Sequence, residues 1–159
     1  IRPPPRSPLF PYTTLFRSMA ETQLPALIRD AVKRAFPGTV GVGFRLPGLR
    51  EKISVAAHPQ HLLEALTLAV GMVLARISFQ GELLVCLPRG DFFQEIVVAG
   101  VPAGGAGLGE LPRPEDAARL RHLIASVHQG TVRSSLGENG EVRLVLALPL
   151  RRMEAEARP

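Results

Sequence analysis

Apolar residues recur at helical spacing in three stretches of the chain, and this pattern predicts three amphipathic helices. The first follows Thr22, a residue type that can cap a helix, and ends at Phe36-Pro37-Gly38. The second opens at Pro59 and the third at Pro114, because proline is favoured at the first helical position.

The segments between these helices alternate apolar and polar residues or form short apolar runs. They predict strands near 40–46, 53–55, 83–87, 92–98, 131–135 and 141–148. A glycine- and proline-rich loop is expected from Gly100 to Pro114. Hairpins separated by single helices favour an α+β fold. We expect a two-layer sandwich with a mixed, mostly antiparallel sheet and the helices on one face.

The first eighteen residues differ in kind from the rest. The DNA string CTC TTT CCC TAC ACG ACG CTC TTC CGA TCT encodes Leu9 to Ser18, and it resembles a sequencing adapter. Repeated prolines leave no room for the apolar core of a secretory signal. We therefore expect residues 1–18 to be a non-native, disordered contaminant. Residues 19–150 should form one domain, and 151–159 a polar tail.

Removing this segment changes the charge of the chain. The full sequence has 19 basic and 14 acidic residues, whereas residues 19–159 have 16 basic and 14 acidic residues, a net charge of +2. With no tryptophan, and with Tyr12 as its one tyrosine, the chain is not expected to bind nucleic acid. The longest apolar stretch is broken by Glu64 and Arg76, so no membrane contact is expected. The single Cys86 fits the reducing cytoplasm.

Three phrases carry a resemblance to a known family. Residues 58–66 (His-Pro-Gln-His-Leu-Leu-Glu-Ala-Leu) enter the second helix, residues 123–132 join the third helix to a strand, and 138–150 end in Leu-Ala-Leu-Pro-Leu. In this order they resemble the ATP-binding domain of bacterial sensor histidine kinases, whose fold is shared with the Hsp90 chaperone and DNA gyrase. The resemblance spans about residues 20–150 and implies a role in two-component signal transduction.

The residues that the family uses to bind nucleotide are replaced in this chain. The resemblance puts the family's Mg²⁺-binding asparagine at Met72, and a thioether cannot replace an amide oxygen on Mg²⁺. The family's adenine-binding Asp-x-Gly-x-Gly run falls at 98–102, where only Gly100 matches. Its phosphate-binding Gly-x-Gly-Leu-Gly run falls near 115–118, which is acidic here. Residues 105–109 match that run by letter but lie about ten residues too early.

These comparisons define the candidate residues. We predict a nucleotide-binding set of Glu64, Met72, Gly100, Gly105, Gly107 and Gly109, with no catalytic and no metal-binding residue. Glu64 could instead be an ordinary exposed helix glutamate, and Gly105 to Gly109 a flexible remnant of the lid over the nucleotide.

Other polar groups admit a chemical and a structural interpretation. His58 and His61 could bind a metal, but we expect surface residues at a helix cap. Ser134-Ser135 lacks a nucleophile elbow and is expected to end a strand. The helix face formed by Arg119, Arg121 and His122 could dock an acidic partner or could simply be solvated.

Three functions follow as hypotheses. The first is a degenerate ATPase-like domain that needs no cofactor and serves as a docking, scaffold or phosphotransfer-adaptor module. Its partner would be a response regulator or a kinase helical domain, with a homodimer possible through a missing upstream region. The second is a divergent domain that still binds ATP and Mg²⁺. The third is an unrelated α+β interaction module. No histidine here has a phosphoacceptor context, so the chain alone is expected not to autophosphorylate.

Overall fold

The computed structural model describes residues 19–36, 42–46, 52–104, 109–137 and 140–150. A π-helical turn over His122–Val127 continues the last helix. The elements run in this order: β1 (Ala20–Gln23), α1 (Leu24–Ala35), β2 (Val42–Arg45), β3 (Ser54–Ala57), α2 (Pro59–Arg76), β4 (Gly81–Cys86), β5 (Phe93–Pro102), α3 (Pro114–Arg121), β6 (Thr131–Leu136) and β7 (Val142–Pro149).

Five of these strands form one sheet in the order β2-β4-β5-β7-β6. Strand β2 runs parallel to β4, and the other neighbours are antiparallel. Strands β1 and β3 form a separate antiparallel pair. The prediction of an α+β fold with a mixed, mostly antiparallel sheet is therefore confirmed.

The helices cover one face of the five-stranded sheet. Alternate side chains of its inner strands are buried beneath them, namely Leu83, Val85, Ile96, Val98, Leu144 and Leu146. Helix α2 contacts β5 and β7, and α1 packs against α2. Each leucine fully buried in this layer contributes about 1.5–3 kcal/mol. The predicted two-layer sandwich is thus confirmed, and no helix of the described residues is long and apolar enough to span a membrane.

The start of the domain differs from the prediction. Thr22 lies in β1 opposite Val55, and its hydroxyl donates to the carbonyl of Ala20 at 2.9 Å instead of capping α1. Helix α1 begins at Leu24, and its N-cap residue Gln23 makes no side-chain cap bond. Thr22 does not cap the helix because pairing with β3 holds residues 20–23 in an extended conformation.

Strand β5 is longer than predicted and extends into the segment that was expected to be a loop. Gly100 lies opposite Leu83 of β4 and Val142 of β7, and the strand ends at Pro102. A Cβ on Gly100 would lie 2.6 Å from Val73 Cγ1 and 3.0 Å from Ile77 Cγ2. The glycine therefore allows α2 to lie close against the sheet.

Two glycine-to-alanine changes are expected to have opposite effects on stability. Gly100→Ala forces a methyl group against the stiff, buried Val73, and we expect it to lower the free energy of unfolding by about 1–3 kcal/mol. Gly71→Ala adds the same methyl group within α2, where nothing beyond the adjoining residues and the backbone of the helix itself lies within 4 Å. Because alanine favours helix, we expect Gly71→Ala to raise that free energy by about 0.5–1 kcal/mol.

Urea unfolding of both variants measures this difference, with Gly71→Ala as the matched control. Equal stability of Gly100→Ala and wild type would contradict the close packing of α2 on β5.

Candidate functional site

A cavity of about 500 Å³ opens between the carboxyl-terminal half of α2, the later part of α3 and the β6–β7 hairpin. This volume falls in the range of roughly 300–1,000 Å³ that is typical of pockets for small organic ligands. Its apolar wall is built largely by Met72, Val73, Leu111, Leu120, Val132 and Leu144. Val73, Leu120 and Leu144 also belong to the core, so packing fixes this part of the wall.

The structure brings one of the predicted nucleotide-binding residues to this cavity. Met72 lines it, whereas Glu64, Gly100 and Gly109 do not. Gly105 and Gly107 lie outside the described residues. A nucleotide-binding role for this set therefore stays a prediction.

Two hydrogen bonds join Gly109, which follows the glycine-rich segment, to Arg76 at the end of α2. Its amide donates to the carbonyl of Arg76 at 2.6 Å, and Arg76 Nη1 donates to the Gly109 carbonyl at 2.8 Å. A Cβ at this position would collide with the carbonyl oxygen of Ala75. Gly109 is thus explained by the close approach of two backbones, and it directs Leu111 and Pro112 toward the cavity.

Glu64 lies in the first half of α2, and eight residues, or about 12 Å of helix, separate it from Met72. Both its carboxylate oxygens accept hydrogen bonds from Arg119 of α3, with Arg119 Nη2 at 3.0 Å from Oε1. The hydrogen bond from Arg119 is the main cause that lowers the pKa of Glu64. In this structure Glu64 therefore joins two helices.

The charge of the cavity lining has one sign. Among the described residues that line it are Arg76, Arg121 and Arg143, and none is an aspartate or a glutamate. Ser134 and Ser135 of β6 also belong to the lining, and Ser134, opposite the buried Leu144, has its hydroxyl on the inner face of the sheet. The sequence had suggested a solvated helix face for Arg121 and a strand end for the two serines. It gave no signal for Arg76, because the cavity forms only when α3 and the hairpin meet α2.

Three histidines cluster at the amino-terminal end of α2. The ring of His58 lies 5.6 Å, centroid to centroid, from the rings of both His61 and His128. His58 is 3% exposed, so the prediction that both His58 and His61 are surface residues is wrong for His58. The backbone N–H of His58 donates to His128 Nε2 at 3.1 Å, and His128 Nδ1 lies 2.6 Å from the carbonyl oxygen of Leu123.

These contacts determine the tautomer of His128. Nε2 accepts a hydrogen bond, so the ring proton is on Nδ1 and is donated to Leu123. Among the described residues, no group of three or more metal-binding side chains could hold a metal ion. The hydrogen bond between His58 and His128 joins the start of α2 to the residue that ends the π-helical turn.

Solved structures supply the comparison that decides the fold. The catalytic domain of histidine kinase ThkA matches with a TM-score of 0.62 and 16% identity, over 82% of this chain and 96% of that one. The mycobacterial sensor histidine kinase MprB matches with a TM-score of 0.65 and 15% identity, over 84% and 100%. The Acinetobacter baumannii histidine kinase AdeS matches with a TM-score of 0.62 and 12% identity, over 96% and 88%.

This chain has the fold of a histidine kinase catalytic domain. No protein family model and no curated protein sequence matches it. At these identities the likeness establishes the architecture, and the chemistry must be argued from the residues of the site.

The Glu64–Arg119 contact predicts a pH-dependent contribution to stability. A carboxyl with a lowered pKa stabilises the folded state above its unfolded pKa, and this stability is lost as the pH falls through the folded pKa. We expect Glu64→Gln to lower the melting temperature at neutral pH by at most a few degrees, because the Arg119 and Glu64 side chains are 47% and 42% exposed. At an acidic pH the difference should be smaller, and it should vanish once the pH falls below the lowered pKa of Glu64 in the folded state.

Thermal unfolding at both pH values tests this, with Glu110→Gln as the control. Glu110 forms no ion pair with a described residue. An effect of Glu64→Gln that persisted undiminished at low pH would contradict the ion pair.

The buried histidine contact predicts a larger effect. His128→Ala removes the acceptor of the His58 N–H and leaves a cavity, so we expect a loss of about 2–4 kcal/mol in the free energy of unfolding. The control His122→Ala truncates an exposed histidine of the same turn and should cost less than about 0.5 kcal/mol. Urea unfolding gives both values, and similar values for the two variants would argue against the contact.

Proposed function

We propose that this chain is a degenerate histidine kinase ATPase-like domain that no longer binds Mg²⁺-ATP. It acts in two-component signal transduction, in the bacterial cytoplasm, as a docking, scaffold or phosphotransfer-adaptor module. Its partner is a response regulator or the helical domain of a kinase. The observation that carries the proposal is Met72 on the cavity wall, at the position that the resemblance assigns to the magnesium-binding asparagine.

The composition of the cavity supports the loss of magnesium binding. Mg²⁺ takes oxygen ligands, chiefly carboxylates, amide oxygens, phosphates and water. Among the described lining residues there is no aspartate, glutamate, asparagine or glutamine. The hydroxyls of Ser134 and Ser135 remain, but a neutral hydroxyl pair does not offset the charge of a divalent cation.

The segment that resembles the adenine-binding run also argues against nucleotide. Val98, at the aspartate's position, is fully buried in β5 and faces the helices between Val85 and Leu144. Strand β5 continues to Pro102 without forming a turn there. A carboxylate at Val98 would lie in the apolar core with no partner, which is costly.

The first turn of α3 argues against phosphate binding at the start of that helix. Glu115 and Asp116 occupy it, and Asp116 accepts a hydrogen bond from Arg113 at 3.3 Å. Carboxylates at this position already complement the positive end of the helix dipole. A phosphate would meet negative charge there.

A second candidate function is a divergent domain that still binds nucleotide. The cavity itself favours it, because the volume is adequate and three arginines line the wall. Gly105 and Gly107 would then provide backbone amides for the phosphates.

Calorimetric titration of the full chain with Mg²⁺ and a non-hydrolysable ATP analogue separates the two candidates. We expect no saturable heat up to about 1 mM analogue, which corresponds to less than about 4 kcal/mol of binding free energy. Far-UV circular dichroism of the same sample shows that it is folded.

Two results would contradict the proposal. Saturable binding at or below the millimolar range would favour the working nucleotide site, and Gly107→Pro should then abolish it. Failure of the chain to bind any purified receiver or kinase helical domain encoded beside its gene would remove the docking role.

A further inference from the structure

The cavity beside Met72 combines an apolar wall with an unneutralised positive charge. We propose that it binds an organic anion with an apolar body, such as a carboxylate or sulfonate on an aromatic or hydrocarbon skeleton, and that Arg121 is the main partner of the anionic group. This inference rests on the proposed function, since it assigns a metal-free ligand to a site that has lost magnesium and nucleotide.

The wall suits an apolar body. Val73 and Leu120 are each 1% exposed and Leu144 is 5% exposed, so their positions are held by the core. Leu111 and Leu136 at the rim are 72% and 59% exposed. A ligand that covered them would remove apolar surface from water, at roughly 25 cal/mol per Å².

The three arginines of the lining are not equivalent. Arg143 is paired with Glu141, with Nη2 at 2.9 Å from the carboxylate oxygen. Arg76 donates one of its N–H groups to the Gly109 carbonyl at 2.8 Å. Arg121 forms no ion pair with a described residue.

Arg121 therefore offers its full charge and its paired donors at the mouth of the cavity. A guanidinium binds a carboxylate or sulfonate through two parallel hydrogen bonds, and such charged bonds are stronger than neutral ones. Ser134, which pairs with the buried Leu144 and so shares the inner face of the sheet, can donate to a remaining oxygen atom. No carboxylate among the described lining residues would repel the anion.

Helix α3 provides a matched control for this role. Arg119 is two residues from Arg121 on the same helix, but it points to Glu64 and does not line the cavity. Both side chains are exposed. Replacing either one with glutamine removes one positive charge from the same helix.

The test uses two fluorescent probes with the full chain. The anionic probe is 8-anilinonaphthalene-1-sulfonate, and the neutral probe is N-phenyl-1-naphthylamine, which lacks the sulfonate. We expect saturable binding of the anionic probe at one site. Arg121→Gln should weaken it roughly tenfold, the loss of one charged hydrogen-bonded contact, and should leave the neutral probe unaffected. Arg119→Gln should change neither.

Several outcomes would overturn the proposal. These are non-saturable binding of the anionic probe, equal binding by Arg121→Gln and wild type, or the same weakening by both arginine variants. Urea unfolding of each variant shows whether a change in probe binding comes from a loosened fold. Arg121→Lys keeps the charge without the paired donors, and it should recover part of the affinity.

The failure of this inference is distinguishable from failure of the proposed function. Displacement of the anionic probe by millimolar Mg²⁺-ATP would overturn the proposed function. Absence of both probe binding and ATP binding would overturn this inference alone.

Discussion

The burial of α2 between α1, α3 and the sheet is the constraint on which the rest of the molecule depends. Leu62, Leu66, Val70 and Leu74 of this helix are at most 1% exposed. Gly100 permits the close approach because a side chain there would collide with Val73. The elements that follow α2 in the sequence, namely β5, α3, the π-helical turn and β7, all contact it.

The two halves of α2 meet the later elements differently. At the amino-terminal half, the Glu64–Arg119 ion pair and the His58–His128 hydrogen bond hold α3 and the π-helical turn in place. At the carboxyl-terminal half, α3 and the β6–β7 hairpin leave a cavity beside Met72 and Arg76. The same packing that fixes the fold therefore creates the candidate site, and the residues at that site determine what it can bind. An architecture shared with histidine kinase catalytic domains does not by itself preserve their chemistry.

Local patterns predicted the elements that depend on local physics. Apolar spacing and the prolines at Pro59 and Pro114 located α2 and α3, and alternation located the β6–β7 hairpin. The errors arose where distant residues decide the conformation. Pairing with β3 drew Thr22 into a strand, and pairing with β4 and β7 carried β5 through Gly100. Burial of His58 depends on His128, which is seventy residues away in the sequence.

The candidate site was harder to predict for the same reason. The family resemblance identified Met72, but Arg121, Ser134 and Arg76 reach one cavity from three separate elements. No periodicity links them. The pairing of Glu64 was also not predictable, because a glutamate on one helix does not indicate that Arg119 of another helix will bind it.

We propose that the cavity persists without the chemistry for magnesium and nucleotide. The methyl resonance of Met72 reports on it directly, since this side chain lines the wall where the metal-binding asparagine would be. In a methyl NMR titration with Mg²⁺ and a non-hydrolysable ATP analogue, we expect this resonance to stay in place. A shift that saturates with nucleotide, and that needs Mg²⁺, would contradict it.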